Sequence, residues 1–187
     1  MVITRTVKFC AAVAAALLLA FVLRPASGGS LPAPLMAPEF THASAEEWIN
    51  SAPLTLAGLR GKVVFVDFWA FECWNCYHSF PWLKAMEARL EPEGLQVIGV
   101  HSPEFDREKV RENIVAKVKE FGLKHPVMID TDFSYWNAMG NRYWPAYFAI
   151  DKHGKIRAVF AGETHDGDEQ AKQIESTLRA LLAEEST

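Results

Sequence analysis

The stretch VDFWAFECWNCYHSFP, from Val66 to Pro81, places an acidic residue inside an apolar run and then two cysteines three positions apart. The run VVFVDFWA (63–70) is almost continuously apolar and rich in β-branched and aromatic side chains, which predicts a strand buried on both faces. Residues 74–89 show apolar side chains at helical spacing, with a kink expected at Pro81 about two turns in. We therefore expect the cysteines between a central strand and the first turn of a helix.

The rest of the chain continues this alternation. Further strands and helices are predicted in turn at residues 95–102, 106–121, 126–130 and 133–141. Two strand-like runs joined by DKHGK then predict a hairpin, in which Gly154 can take a positive φ, and residues 168–184 predict a last amphipathic helix. Successive βαβ units with an antiparallel hairpin predict a mixed sheet with helices on both faces.

Two segments before the central strand give weaker patterns. SAEEWIN (44–50) carries the Ser-x-x-Glu capping signature, which predicts a short helical turn. PLTLAGLRGK (53–62) predicts a short strand and a turn.

The first residues have the composition of a targeting segment. Arg5 and Lys8 precede an uncharged apolar run, Phe9–Leu23, and small residues follow it up to a plausible cut near Gly28. The run is shorter than the roughly 20 residues of a membrane span and fits a signal peptide. Because Arg24 and Pro25 interrupt the approach to the cut, an uncleaved membrane anchor stays open as the alternative.

These observations divide the chain into a signal peptide or N-terminal membrane anchor (1–28), a proline- and glycine-rich linker (29–37) and one globular domain (38–187). The formal net charge is −4, and loss of residues 1–28 makes it −7 by removing three basic residues and no acid. With basic residues scattered through the domain, we expect no nucleic-acid partner. Both forms of the leader predict a periplasmic or extracytoplasmic location.

Of the three cysteines, Cys10 lies within the apolar run and is interpreted as a leader residue. Cys73 and Cys76 remain in a compartment where disulfides persist. Backbone N–H groups at a helix N-terminus lower a thiol pKa toward about 3.5–7.5, which makes Cys73, at the exposed edge, the expected nucleophile. Cys76 faces inward on the same side of the helix and is placed to attack a mixed disulfide formed by Cys73.

Other roles for the cysteine pair are weighed against this one. A static disulfide over so short a loop constrains little chain entropy. Zinc normally needs four ligands, and the chain has no second C-x-x-C or spaced histidine pair. Cu(I) needs only two thiolates with a distant His or Met, so a Cu(I) metallochaperone stays the alternative function.

Asp67 lies six residues before Cys73 within the apolar strand. A buried carboxylate must be hydrogen-bonded or have a raised pKa, because burial of an isolated charge is costly. Beside a dithiol, such an acid accepts the proton of the resolving thiol. The alternative is a solvent-facing aspartate at a strand edge.

The motif VDFWAFECWNC followed by Phe80-Pro81 resembles the active site of the thioredoxin superfamily. The LRGKVVFVDFWA approach and a βα insertion of about 30 residues between VIGV and YFAID resemble TlpA/ResA-like exported thioredoxins. Two longer stretches are most similar to the soluble domains of DipZ-type cytochrome c biogenesis proteins. They are WINSAPLTLAGLRGKVVFVDFWAFECWNC and NRYWPAYFAIDKHGKIR. The resemblance covers about residues 38–183 and implies a three-layer α/β/α thioredoxin-like fold with a central mixed β-sheet.

The same resemblance implies a thiol–disulfide oxidoreductase with no cofactor beyond the Cys73–Cys76 pair. It places Trp144 and Pro145 in a cis-proline loop that faces the dithiol and pairs with an extended substrate segment. The cysteine loop also faces the substrate, which adds Trp74 and Asn75 to the substrate-binding residues.

The chain departs from the thioredoxin pattern between the cysteines, where Trp74-Asn75 replaces Gly-Pro. Glu72 should oppose a thiolate at Cys73, and His78 is a candidate to counter Glu72; both are candidate modulators of the Cys73 pKa. We expect a reductant, supplied by a membrane thiol-electron donor, that acts on exported protein disulfides such as those of apocytochrome c. The Thr/Ser-x-x-Cys pattern of peroxiredoxins is absent.

The remaining aromatic and histidine residues are assigned structural places. Most large aromatics are expected in the core, namely Trp69, Trp82, Trp136 and Tyr143. The other histidines are expected at the surface except for His101 at a strand end, and those are His42, His125, His153 and His165.

Overall fold

The structure is a computed structural model that describes residues 35–185. The predicted signal peptide or membrane anchor (1–28) and the first part of the predicted linker lie outside the described residues. No helix from residue 35 to residue 185 is both long enough and apolar enough to cross a membrane.

Strand β2 (Val63–Trp69) is buried at every residue and lies within a six-stranded mixed sheet. Its neighbours are β3 (Leu95–His101), which is parallel, and β5 (Ala146–Ile150), which is antiparallel. The remaining strands are β1 (Trp48–Ile49), β4 (Val127–Ile129) and β6 (Ile156–Ala161). The sheet order is β1-β4-β3-β2-β5-β6. The predicted central strand and mixed sheet are confirmed.

Helices cover both faces of the sheet, because the side chains of β2 alternate between two apolar layers. The helices are α1 (Trp74–Leu90), α2 (Arg111–Phe121), α3 (Ser134–Ala138) and α4 (Glu169–Ala183). Phe65 and Trp69 pack with α1, α2 and α4, whereas Val66 and Phe68 pack with α3 and the segment 37–59. This is the predicted α/β/α arrangement, with α2 and β4 inserted between β3 and α3.

Helix α1 holds the cysteine motif against the sheet. Its buried side chains Phe80, Leu83, Met86 and Leu90 recur three or four residues apart, which turns one face of the helix toward the core. The helix continues through Pro81 as one element, so the kink expected there does not divide it. Proline removes only one backbone donor, and the flanking turns stay packed.

The segment before β2 differs from its prediction. The Ser-x-x-Glu signature does begin a turn of 3-10 helix, Ala45–Glu47, but the chain then extends into β1 and pairs with β4. The strand expected from residue 53 is absent, and a second 3-10 turn, Ala57–Leu59, stands there instead. A two-residue edge strand depends on its partner, which local pattern does not reveal.

The predicted hairpin between β5 and β6 is present, with Gly154 at a φ of 78°. The last residues of the predicted linker attach to it. Met36 forms a β-bridge with Lys155, and the backbone N–H of Ala37 donates to the carbonyl of Gly154 at 2.9 Å. The chain is therefore tied to the hairpin from residue 35 onward.

Candidate active site

Cys73 is the N-cap residue of α1, and its sulfur accepts a hydrogen bond from the backbone N–H of Cys76 at 3.1 Å. The two cysteines are joined by a disulfide bond. Once that bond is reduced, the same N–H and the positive end of the helix dipole stabilise negative charge on the Cys73 sulfur. The local geometry therefore favours Cys73 as the nucleophilic thiolate.

Access to the disulfide differs between the two cysteines. Cys73 is 7% exposed and Cys76 is 1% exposed. Cys73 is thus less open than the sequence predicted, because Phe71 and other side chains pack beside it, yet it is the more accessible of the pair. Trp74 is 68% exposed and Asn75 is also exposed, so both are available to a partner. An incoming disulfide meets Cys73 first.

Asp67 is 1% exposed, which rules out the solvent-facing alternative. It lies between Phe65 and Trp69 on β2 and shares their sheet face with Cys76. Burial, followed by the negative charge of Glu87, raises the pKa of Asp67 to about 8. Its Oδ2 atom has no hydrogen-bond partner among residues 35–185. Asp67 is therefore a buried acid whose pKa is raised into the range in which thiols exchange protons.

The strand next to Asp67 contributes a tyrosine to the same space. Tyr147 lies opposite Asp67 in the β2–β5 register, and burial followed by the Asp67 charge raises its pKa. Ser79 of α1 donates to the carbonyl of Asn75 at 2.8 Å and accepts from the backbone N–H of Thr164 at 3.0 Å. These neighbours are neutral, so no cation balances an ionised Asp67 from this side.

The Trp144–Pro145 peptide bond is cis, as the resemblance implied. The indole Nε1 of Trp144 donates to the carbonyl of Ser102 at 3.0 Å, and its ring packs against Trp136 with centroids 4.2 Å apart. The carbonyl of Pro145 accepts from the backbone N–H of Gly162 at 2.9 Å. The loop is thus held by α3 and by the residues that directly follow β3 and β6.

The partner predicted for Glu72 is wrong. Glu72 forms a bidentate ion pair with Arg107 and does not face His78. His78 instead lies 3.0 Å from the carboxylate of Glu163. The negative charge of Glu72 is therefore balanced by a residue of the 3-10 turn Asp106–Lys109, a pairing that no local sequence pattern predicts.

Glu108 is a site residue that sequence reasoning missed. Its carboxylate is fully buried and accepts three backbone N–H groups, from Glu72 at 2.8 Å, Glu104 at 2.6 Å and Phe105 at 2.8 Å. Three donors satisfy a buried charge that would otherwise be costly. Glu108 thus fixes the loop in front of Cys73 to the loop after β3.

Two histidines expected at the surface are buried. His42 is 7% exposed and lies 2.9 Å from Glu47 and 3.1 Å from Asp130. His125 is 3% exposed, and its Nδ1 lies 3.0 Å from Glu87. Each imidazole gains a carboxylate partner distant in sequence, which offsets the cost of burial.

His101, the histidine that was not expected at the surface, is fully buried, and burial lowers its pKa to about 3.

The expected aromatic core is mostly present. Trp69, Trp82 and Trp136 are buried, but Tyr143 is 62% exposed beside the cis-proline loop. Tyr143 and Trp74 therefore add exposed aromatic surface on the two loops that carry the site residues.

Among the described residues, the one group of side chains arranged to hold a metal ion is His42, Asp130 and Asp132, and it includes neither cysteine. His42 and Asp130 already bond each other, and Asp130 also accepts from the hydroxyl of Ser102 and two backbone N–H groups. The side chains of His42 and Asp130 are therefore already engaged in a hydrogen-bond network.

The Redoxin family profile matches residues 36–178, a span that includes both cysteines, Asp67 and the cis-proline. The chain belongs to the Redoxin family. This redoxin is 40% identical to Protein DipZ of Mycobacterium bovis over 138 residues, which are 72% of this chain and only 19% of that protein. The chain therefore spans about a fifth of the length of that relative.

Two further likenesses cover nearly whole proteins. The thiol-disulfide oxidoreductase YkuV of Bacillus subtilis is 26% identical over 147 residues, which are 79% of this redoxin and 94% of YkuV. A crystal structure of the thioredoxin-like superfamily protein SPOA0173 is 27% identical and superposes with a TM-score of 0.71, covering 81% of this chain and 99% of that one. This redoxin has a thioredoxin-like fold.

Proposed function

We propose that this redoxin is an exported reductase of protein disulfides. The observation that carries the proposal is the Cys76 N–H bond to the Cys73 sulfur at the helix N-terminus, which prepares a thiolate at Cys73. That thiolate attacks a substrate disulfide, forms a mixed disulfide and releases one substrate thiolate. The Cys76 thiolate then attacks the Cys73 sulfur and releases the second. Two electrons pass from the dithiol to the substrate.

Asp67 takes the proton from Cys76 in this scheme. Its pKa of about 8 lies close to that of a free thiol, about 8.5, so the proton moves between groups of similar basicity. Asp67 lies on the same sheet face as Cys76, and its Oδ2 has no other partner among residues 35–185. Both observations support the role.

The substrate binds as an extended segment along the Trp144-Pro145 loop, where its backbone pairs with the loop as an added strand. The exposed rings of Trp74 and Tyr143 and the exposed Asn75 support contacts to residues flanking the substrate cysteine. Aromatic side chains of this kind contribute much contact area with little loss of conformational freedom.

The leader composition supports export, with residues 1–28 acting as a signal peptide or a membrane anchor. In that compartment a membrane thiol-electron donor reduces the Cys73–Cys76 disulfide after each cycle. Exported proteins with oxidised cysteines, of which apocytochrome c is an example, are the substrate class.

Insulin reduction by the wild-type protein and two serine variants tests the reaction. Cys73→Ser should abolish turnover, whereas Cys76→Ser should attack once and accumulate mixed disulfides. A fully active Cys73→Ser variant contradicts the mechanism. Tight Cu(I) binding by the reduced protein with little exchange activity would instead favour the metallochaperone alternative.

The dithiol reduction potential tests the direction. A value near about −270 mV, as in thioredoxin, supports a reductase. A value near about −120 mV, as in DsbA, overturns the direction while leaving the fold and the cysteines in place.

A further inference from the structure

Gly99 has no side chain at a crowded point of the sheet face beside the buried acid. It lies directly across from Asp67 in the parallel register of β2 and β3, where paired positions point to the same face of the sheet. A Cβ atom at position 99 would lie 3.0 Å from Nε1 of Trp69 and 3.2 Å from Nε2 of His125. Two ring nitrogens therefore border the space that a side chain at position 99 would fill.

Three polar atoms on this face of the sheet are unpaired. Oδ2 of Asp67, Nε1 of Trp69 and Nε2 of His125 are buried and have no hydrogen-bond partner within residues 35–185. Buried polar groups are rarely left without a partner. A ring N–H donor, a carboxyl oxygen and an imidazole nitrogen on one face of the sheet are the kinds of partner that a buried water bridges.

The second ring nitrogen of His125, Nδ1, contacts a carboxylate that is partly exposed to solvent. Its Nδ1 lies 3.0 Å from Oε2 of Glu87, and the Glu87 side chain is 16% exposed whereas that of His125 is fully buried. Glu87 lines a surface groove of about 330 Å³ together with Lys84, Glu91 and Lys124. The imidazole thus has one nitrogen on the Asp67 side and the other on a carboxylate that reaches solvent.

We propose that His125 and Glu87 relay protons between Asp67 and solvent, which rests on the proposed role of Asp67 as the base for Cys76. The proton leaves the Cys76 sulfur for the Asp67 carboxylate and passes through one water to Nε2 of His125. The proton on Nδ1 then passes to Glu87 and from there to the groove. No electron moves along this path, and His125 and Glu87 do not touch the substrate.

The charges around the relay define its pH dependence. Tyr147 of β5 faces Asp67 and stays neutral, because burial raises its pKa. Cys76 of α1 faces the same layer, and Lys84, Glu91 and Lys124 line the groove at its outer end. The negative charge of Glu87 also raises the pKa of Asp67, so this charge effect must be separated from the proposed role of Glu87 in proton transfer.

Stopped-flow reaction of the reduced full-length protein with 5,5′-dithiobis(2-nitrobenzoate) separates the two chemical steps. The first aromatic thiolate is released when Cys73 attacks, and the second when Cys76 resolves the mixed disulfide. His125→Asn should slow the second phase about tenfold and leave the first unchanged, as expected for loss of a proton-transfer group. The matched control is His101→Asn, which removes another buried imidazole packed on Trp69, with ring centroids 4.8 Å apart, and should leave both phases unchanged.

Two more variants decide between explanations. Glu87→Gln keeps a hydrogen bond to His125 and tests the relay even when His125→Asn does not fold. In Glu87→Gln, the relay predicts a slower second phase at every pH. If instead the midpoint of the plot of second-phase rate against pH moves to lower pH and the plateau rate is unchanged, Glu87 acts only through its charge and the relay is overturned. Asp67→Asn is the reference variant. If Asp67→Asn leaves the second phase unchanged, the proposed role of Asp67 is wrong. If Asp67→Asn slows the second phase but the His125 and Glu87 variants do not, only the relay is wrong.

Discussion

The backbone N–H of Glu72 donates to the carboxylate of Glu108 at 2.8 Å, across 36 positions of the chain. Glu72 immediately precedes Cys73, the proposed nucleophile, and Glu108 belongs to the 3-10 turn that follows β3. Because Glu108 is fully buried and holds two further N–H groups, the position of the cysteine loop depends on this distant turn.

Glu108→Ala should lower the free energy of unfolding by at least about 3 kcal/mol, because it leaves three backbone donors without their charged acceptor. Glu108→Gln retains one acceptor oxygen and should lose less. Urea unfolding followed by circular dichroism measures both. The control is Glu104→Ala, whose side chain is exposed, and it should stay within about 0.5 kcal/mol of wild type. Equal losses for Glu104→Ala and Glu108→Ala would contradict the assignment.

Arg107→Ala should raise the pKa of the Cys73 thiol, because it leaves the negative charge of Glu72 unbalanced next to that residue. Arg107 is 67% exposed, so solvent screening limits the shift to less than about one unit. Glu72→Gln should move the pKa in the opposite direction. Thiolate absorbance against pH, in a Cys76→Ser background, isolates Cys73. A shift that does not shrink in high salt would argue against this charge effect.

Asp67→Asn should stabilise the oxidised protein at alkaline pH. In the unfolded chain the carboxyl ionises near its ordinary pKa of 3.8, but in the folded protein it holds its proton up to about pH 8. The unfolded state therefore binds fewer protons in this window, and wild-type stability falls as pH rises through it. The gain from Asp67→Asn should grow by on the order of 1.4 kcal/mol per pH unit between the two pKa values. Denaturant unfolding at pH 5 and pH 8 measures it, and a gain that does not grow argues that Asp67 ionises freely.

His42→Gln should cost more stability at pH 6 than at pH 9. Burial opposes protonation of His42, but hydrogen bonds to Glu47 and Asp130 outweigh burial and raise its pKa. A raised folded pKa contributes stability that is present below the unfolded value, about 6.5, and is lost as pH rises through the folded value. Thermal unfolding at the two pH values tests this. An equal loss of stability at pH 6 and pH 9 would contradict the raised pKa of His42.

The parts of the site that the sequence predicted are those that local pattern encodes. β2 is recognisable because a strand buried on both faces is apolar throughout, and α1 follows from helical spacing after the cysteines. The burial of Asp67 follows from its place inside that strand. The cis bond before Pro145 needed the family resemblance, since propensity alone favours the trans form.

The parts that the sequence did not predict are pairs brought together by the fold. Glu72 and Arg107 are 35 positions apart, and His125 and Glu87 are 38 apart, so no spacing rule links them. His125 looks like a surface residue until β4 and α1 enclose it. The same holds for β1, whose two residues become a strand only by pairing with β4.

The bridge between Met36 and Lys155 determines where an N-terminal attachment acts on the domain. It lies past the end of β5 at Ile150, whereas Pro145 immediately precedes the start of that strand, so five strand residues, or about 17 Å, separate them. A force applied at residue 35 acts first on the β5–β6 hairpin, and it does not pass through the loop that carries the cysteines. Whatever is joined to residue 35 therefore attaches at the end of β5 opposite Pro145 and leaves the end of the sheet that carries the cis-proline accessible to a large partner.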